Sequence, residues 1–211
     1  PTPYYDANDG YPSYLLLGDG RGQFRDATEE SGLAQKRFRR TYSSSLVDLD
    51  DDHDLDLLVV SDFAGIDIYY NDGRGRFSDV TSRVVDEVSN FAMSHTYGDY
   101  NLDGNLDFYV IGMSSTTACR LDNMNLGRAE FPRHQDMRRR MGYGNRMYCG
   151  TNHKGNFRQP PFNDQVARSG WSWGSTSFDF DNDGDLDIYA VSYTHVRAHE
   201  TASYGVCRLL L

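Results

Sequence analysis

The chain has 211 residues, of which 38% are hydrophobic and 13% aromatic, so it can bury a core and is not a disordered tail. Its formal net charge of −10 argues against a nucleic-acid partner, because binding to phosphate backbones requires clustered Lys and Arg. No apolar run approaches the roughly 20 residues of a membrane helix, and we therefore predict no membrane span.

Two kinds of segment recur along the chain, and their spacing indicates a repeated unit. The first kind is LLLGDGRGQFRDAT at 15–28, which returns as IYYNDGRGRFSDVT at 68–81 and more loosely as MYCGTNHKGNF at 147–157. The second kind is LVDLDDDHDLDLLVV at 46–60, which returns as YGDYNLDGNLDFYVI at 97–111 and FDFDNDGDLDIYAV at 178–191. Because both series keep the same offsets, we infer one composite unit of about 50 residues, with an insertion of roughly 30 residues in one copy.

Each unit is predicted to contain four short strands. In the clearest copy they fall at 41–49, 55–61, 66–71 and 76–81, separated by an Asp-rich loop and by Gly-containing turns. Four strands per repeat of this length are typical of a β-propeller blade. We therefore predict an all-β fold, a partial, open-arc β-propeller of four-stranded blades. The insertion, at 113–144, is predicted to hold one short basic helix or none.

The repeats also predict where the units begin and end. The predicted units are a trailing half-blade at 1–38, a blade at 39–86 with the loop 48–56, a blade at 87–166 with the loop 99–107 and the insertion 113–144, and a leading half-blade at 167–192 with the loop 179–187. Residues 193–211 lack these motifs, and we expect them to be a non-native or frameshifted tail. Because the chain starts at Pro1 without a Met or a signal-like segment, we expect a fragment whose remaining blades lie elsewhere.

Three Asp-rich loops contain fourteen of the 31 acidic residues, a density that is unfavourable unless a cation lies among the carboxylates. In register they read DLDDDHDLD, DYNLDGNLD and DFDNDGDLD, at 48–56, 99–107 and 179–187. Side-chain oxygens recur at loop positions one, three, five and nine: Asp48, Asp50, Asp52 and Asp56; Asp99, Asn101, Asp103 and Asp107; Asp179, Asp181, Asp183 and Asp187. Position seven would add a main-chain carbonyl, from Asp54, Asn105 or Asp185. Ca²⁺ takes six to eight oxygen ligands, and we predict up to three calcium sites.

The choice of metal follows from the ligands. Zn²⁺ and Cu²⁺ prefer Cys and His, whereas Mg²⁺ usually retains its waters. An EF-hand would need a bidentate Glu at position twelve, where this chain has Val59, Val110 and Ala190 in apolar strands. Position six must turn sharply, and Gly104 and Gly184 suit this turn. His53 occupies it in the first loop, which makes that site the least regular.

At this point the loops resemble the FG-GAP/VCBS repeats of integrin α-type propellers, in which a D-x-D-x-D-G-x-x-D loop joins the first two strands of a blade. The segment NDGRGRFSDVT at 71–81 is similar to a stretch of bacterial, cartilage acidic protein-like members. The resemblance covers roughly 13–192 and implies calcium ligands at the twelve side chains above. It also implies a propeller of about seven blades, extracellular or on the cell surface, secreted or periplasmic in a bacterium.

Two functions are compatible with this pattern. The first is a calcium-stabilised module for adhesion or for recognition of a protein or glycan ligand, with no enzymatic activity, because no catalytic constellation is seen. The alternative is a portion, catalytic or not, of a propeller-type polysaccharide lyase or hydrolase. A basic run at Arg138, Arg139 and Arg140 is a docking surface or a solvated loop. Cys119 and Cys149 form a bridge or remain free thiols, and Trp171 and Trp173 are expected to pack between blades.

Overall fold

The computed structural model of the protein describes residues 5–152 and 154–192, and within these ranges twelve strands form four antiparallel sheets. The first four-stranded sheet contains β3 (Arg40–Val47), β4 (Asp56–Asp62), β5 (Gly65–Asn71) and β6 (Phe77–Asp79) in that order. The second contains β7 (Ala92–Gly98), β8 (Asp107–Gly112), β9 (Arg146–Thr151) and β10 (Asn156–Arg158). The all-β prediction is thus confirmed, and both sheets are four-stranded meanders.

Two further sheets have two strands each. The N-terminal sheet pairs β1 (Leu16–Gly18) with β2 (Phe24–Asp26), and the C-terminal sheet pairs β11 (Ser172–Phe178) with β12 (Asp187–Ser192). The first strands of successive units lie side by side, since β7 packs against β3 and β4 on one side and against β11 on the other.

Apolar residues from neighbouring sheets form the main core. Leu58, Val60 and Ile68 of the first four-stranded sheet pack with Phe108 and Tyr148 of the second, and all five are fully buried. Burying each such side chain stabilises the fold by about 1.5–3 kcal/mol. Side chains alternate between the two faces of a strand, so Tyr109 and Ile111 of β8 lie on the opposite face of the sheet. There, together with Met147 of β9, they contact Ile188 and Ala190 of β12. The second sheet is therefore covered on both faces.

Helices occupy the connections. They are a 3-10 turn at Ala34–Lys36 and the helices α1 (Thr81–Val84), α2 (Thr116–Asn123), α3 (Pro132–Met141) and α4 (Asn163–Val166). The prediction of at most one helix in the insertion was wrong, because α2 and α3 both lie there. Ser115 caps α2 by accepting a hydrogen bond from the Ala118 main-chain amide, and Pro132 begins α3. Of the helices described, none combines the length and apolarity needed to cross a bilayer.

The cysteines and tryptophans have different surroundings. Cys119 is exposed and Cys149 half-buried, and the two are not bridged. Burial, together with the charges of the second Asp loop, raises the pKa of Cys149 to about 12. The ring of Trp173 packs edge-on at 6.1 Å against Tyr42 of another sheet, whereas Trp171 is about half exposed. The predicted tail at 193–211 lies outside the described residues.

Candidate metal centres

The three Asp loops share one backbone shape. Each connects the first two strands of a sheet, and each enters the left-handed region twice, at loop positions four and six. The φ values are 63° and 74° at Asp51 and His53, 55° and 83° at Leu102 and Gly104, and 63° and 96° at Asn182 and Gly184. The sharp turn predicted at position six is present in all three loops, at His53 as at the two glycines. The left-handed residue at position four was not predicted from the sequence.

The carboxylate at position one is held by the loop's own main chain. Asp48 accepts hydrogen bonds from the amides of Asp52 at 3.2 Å and His53 at 3.0 Å. Asp99 and Asp179 accept the equivalent bonds from positions five and six, at 2.8–3.1 Å. In each loop the same two main-chain hydrogen bonds therefore orient the carboxylate at position one toward the inside of the loop.

The carboxylate at position nine connects the loop to the third strand of its sheet. Asp56 accepts from the Leu49 amide within the loop and from the Asn71 amide at the end of β5, both at 2.9 Å. Asp107 accepts from the Tyr100 amide at 3.0 Å and from the Gly150 amide of β9 at 2.8 Å. Both aspartates are fully buried.

The third loop reproduces only half of this arrangement. Asp187 accepts from the Phe180 amide at 3.0 Å, but among the described residues no third strand lies beside β12 to donate to its other oxygen. Asp187 is accordingly exposed.

Carboxylate oxygens converge in two of the three loops. Ligand atoms of Asp48, Asp50 and Asp56 all lie within 4.8 Å of one another, and so do those of Asp179, Asp181 and Asp187. The position-five acids Asp52 and Asp183 stand outside these groups; each accepts a hydrogen bond from the amide at position seven, Asp54 or Asp185.

The second loop differs because of its amide side chains. Its position three is Asn101, so the loop has no third acid to join Asp99 and Asp107 in the way that Asp50 and Asp181 join their neighbours. Instead the side-chain amides of Asn101 and Asn105 donate to the two oxygens of Asp103, at 2.9 and 2.7 Å. These bonds stabilise the charged carboxylate within the loop.

Burial, and repulsion between neighbouring carboxylates, raise the pKa of several aspartates in these loops. Burial, reinforced by the charges of Asp56, Asp52 and Asp48, raises the pKa of Asp50 to about 6. One oxygen of Asp50, Oδ1, is buried without a hydrogen-bond partner among the described residues. Burial also raises the pKa of Asp56 and of Asp107. A cation bound between the carboxylates would remove this penalty, and the unpaired oxygen of Asp50 fits such a cation.

The first loop has two features that the motif did not predict. A second convergent group joins Asp48 to Asp51 and His53, whose Nδ1 lies 3.8 Å from Asp48 Oδ2. A cleft of about 300 Å³ also separates this loop from the second one, with Asp51, Asp99 and Lys154 in its wall. The spacing of oxygens at alternate positions contains no signal for either feature.

Two polar clusters that lie away from the loops were also not predicted from the sequence. Asp67 is buried and accepts from Lys36 Nζ at 2.6 Å, with Arg39 Nε 3.0 Å from its second oxygen. Ser45 Oγ lies 2.8 Å from His95 Nε2, and burial lowers the pKa of His95 to about 4. The other ring nitrogen of His95 has no hydrogen-bond partner among the described residues. The serine–histidine pair therefore lacks the acid that would orient the ring for catalysis.

Comparison with known proteins identifies part of this architecture. The family model of the FG-GAP-like repeat matches residues 48–110. The matched segment begins at the first Asp loop, contains the second, and ends in β8. No sequence among the curated proteins compared with the chain matches it.

Proposed function

We propose, on the premise that residues 48–110 form an FG-GAP-like repeat, that the chain is an open-arc segment of a calcium-binding β-propeller. The succession of four-stranded antiparallel sheets supports this arrangement, as does the side-by-side packing of β3, β7 and β11. The proposed blades follow the sequence repeats: half-blade 1–38, blades 39–86 and 87–166, and half-blade 167–192. The remaining blades of the propeller would be its first partners.

Calcium binding is supported chiefly by the convergence of carboxylates on a scaffold that is repeated in three loops. The donors of the groups formed by positions one, three and nine are all carboxylate oxygens, which suits a hard cation. The first and third loops offer three convergent acids each, and the second offers an amide in place of one carboxylate. We therefore expect the third and first loops to bind Ca²⁺ more tightly than the second.

The proposed role of the ion is structural. The carboxylates at position nine already link two loops to a third strand, through the Asn71 and Gly150 amides. A cation coordinated by the same carboxylates would neutralise their charge without breaking these bonds, because each oxygen has two lone pairs. It would thereby stabilise the hairpin and its connection to the sheet, and binding would raise the stability of the folded state.

We propose that the module works outside the cytoplasm, secreted, periplasmic or on a cell surface, in adhesion or in recognition of a protein or glycan. We propose a role in binding and not in catalysis; the pair of Ser45 and His95 has no orienting acid among the described residues. The ligand would be met by connections between sheets or by the insertion that contains α2 and α3.

Calcium binding is tested by calorimetry and thermal unfolding in Ca²⁺, Mg²⁺ and EDTA. Asp181 is the most informative position, because it belongs to a convergent group yet makes no hydrogen bond to the main chain of its loop. Asp181→Asn should weaken Ca²⁺ binding about tenfold or more and leave the Tm in EDTA unchanged. The matched control is Asp136→Asn, which removes an exposed acid of the insertion. A Tm that is identical in Ca²⁺ and EDTA would contradict the proposal.

A further inference from the structure

The first Asp loop brings a nitrogen donor beside its carboxylates, whereas the other two loops contain no histidine. Ligand atoms of Asp48, Asp51 and His53 all lie within 4.8 Å of one another, and His53 Nδ1 lies 3.8 Å from Asp48 Oδ2. This group shares only Asp48 with the convergent carboxylates of Asp48, Asp50 and Asp56. Its two carboxylates and one imidazole form a mixed oxygen and nitrogen donor set, which differs in chemistry from a cluster of acids.

The two added donors occupy the left-handed positions of the loop. Positions four and six have a positive φ in all three loops, so the backbone that carries these side chains has a common shape. The second loop has Leu102 and Gly104 there, and the third has Asn182 and Gly184. The first loop therefore differs from the others in the donors that this shared shape presents.

The distances allow the group to close on one ion. Zn²⁺ lies about 2.0–2.2 Å from His nitrogen and carboxylate oxygen, so two tetrahedral ligands lie roughly 3.3 Å apart. The 3.8 Å between His53 and Asp48 is only slightly longer. The His53 side chain is 91% exposed, so no packing opposes a small rotation of its ring. Asp48 is held in place by the main-chain amides of Asp52 and His53.

The charge of the loop also favours a second cation. The segment 48–56 contains six aspartates, whereas the second loop contains three and the third contains five. One Ca²⁺ at Asp48, Asp50 and Asp56 would return only two of these six charges. A second divalent ion would reduce the repulsion that remains among the carboxylates.

We propose that Asp48, Asp51 and His53 bind a divalent transition-metal ion of the Zn²⁺ class, beside the proposed calcium site. Ca²⁺ and Mg²⁺ take oxygen ligands, whereas an imidazole combined with carboxylates suits Zn²⁺ and ions such as Co²⁺ and Ni²⁺. Asp48 can serve both sites because a carboxylate has two oxygens. Three protein ligands leave one position of a tetrahedral ion to water. This site goes beyond calcium binding and does not require it.

Calorimetric titration with Zn²⁺, with and without added Ca²⁺, tests the site. His53→Gly removes the imidazole but keeps the main-chain amide that holds Asp48. It should weaken Zn²⁺ binding about tenfold or more and change Ca²⁺ affinity by less than about twofold. The control His134→Gln removes a histidine of the insertion and should leave Zn²⁺ binding at the first loop unchanged. Undiminished Zn²⁺ binding in His53→Gly, or an equal loss in both variants, would overturn the proposal.

The titration without Ca²⁺ separates the two metal sites. A loss of Zn²⁺ binding in His53→Gly under that condition supports the proposal even for a chain that binds no Ca²⁺. Moving the donors to the third loop gives a second test. In the His53→Gly background, Asn182→Asp with Gly184→His places the same donor types at positions one, four and six. This chain should bind Zn²⁺ about tenfold more tightly than His53→Gly alone, and binding no tighter than that of His53→Gly would overturn the proposal.

Discussion

The hydroxyl of Tyr70 donates a 2.6 Å hydrogen bond to the main-chain carbonyl of Gly155, 85 residues further along the chain. Tyr70 lies on β5 of the first four-stranded sheet, and Gly155 lies in the turn between β9 and β10 of the second. A Cβ on Gly155 would overlap this hydroxyl and lie 2.9 Å from the Cβ of Asp50. The first candidate metal centre is therefore packed against the turn of the neighbouring sheet.

The first prediction concerns that contact. Gly155→Ala should lower the free energy of unfolding by about 2–4 kcal/mol, because it adds overpacking against Tyr70 to the strain of a φ of 62°. Urea denaturation in EDTA measures the loss. Gly75→Ala is the control, since Gly75 has a φ of 79° but no atom within 4 Å of a Cβ, and should cost only about 1 kcal/mol. Similar losses at both sites would show that the contact with Tyr70 adds nothing.

The second prediction tests whether the aspartate at loop position nine stabilises the fold through its hydrogen bonds, independently of metal binding. Asp107→Ala should cost about 3 kcal/mol in EDTA, because it leaves the amides of Tyr100 and Gly150 without their acceptor. Asp187→Ala should lower the free energy of unfolding by less. Asp187 is exposed, and it accepts the bond from the loop amide of Phe180 but has no donor from a third strand among the described residues. Thermal or chemical unfolding of the two variants provides the comparison. Equal losses would mean that the bond to the third strand contributes little.

The third prediction concerns the turn residue of the first loop. His53→Gly should raise the free energy of unfolding by about 0.5–1 kcal/mol, because glycine adopts a φ of 74° without a Cβ penalty. The reverse change in the second loop, Gly104→His at a φ of 83°, should lower it by a similar amount, since the space around Gly104 is open. Unfolding in EDTA measures both. Changes of the same sign in the two variants would contradict the strain argument.

The fourth prediction concerns pH. Burial lowers the pKa of His95 to about 4 in the folded chain, whereas an unfolded histidine titrates near 6.5. The unfolded chain therefore binds more protons between these values, and stability should fall as pH decreases from 6.5 toward 4, by on the order of 3 kcal/mol. The measurement is the difference in unfolding free energy between the unmodified chain and His95→Gln, since carboxylate titrations cancel in that difference. A difference that is constant across pH 4–7 would refute the assignment.

The strands and loops could be predicted from the sequence because their determinants are local. The carboxylate of Asp48 is held by amides four and five residues away, and Asp72 by amides two and four residues away. Interactions this short depend on residue type and spacing, both of which repeat visibly along the chain. The all-β class, the four strands per unit and the sharp turn at loop position six followed from them.

The insertion shows the limit of that approach. Its residues do not repeat, so no register with other copies indicated where α2 and α3 would form. Sequence spacing also made the three loops look nearly equivalent. Only the structure shows that the side-chain amides of Asn101 and Asn105 donate to Asp103, at 2.9 and 2.7 Å.

The sequence by itself therefore determined the repeated hairpins and the acidic loops, since a turn is specified by neighbouring residues. The tertiary structure alone decided which distant groups meet: the Gly150 amide with Asp107, Ser45 with His95, and Tyr70 with Gly155. These partners are 43 to 85 residues apart and come together through the packing of one sheet on the next. No local spacing encodes such a contact, because it depends on the curvature and stacking of whole sheets.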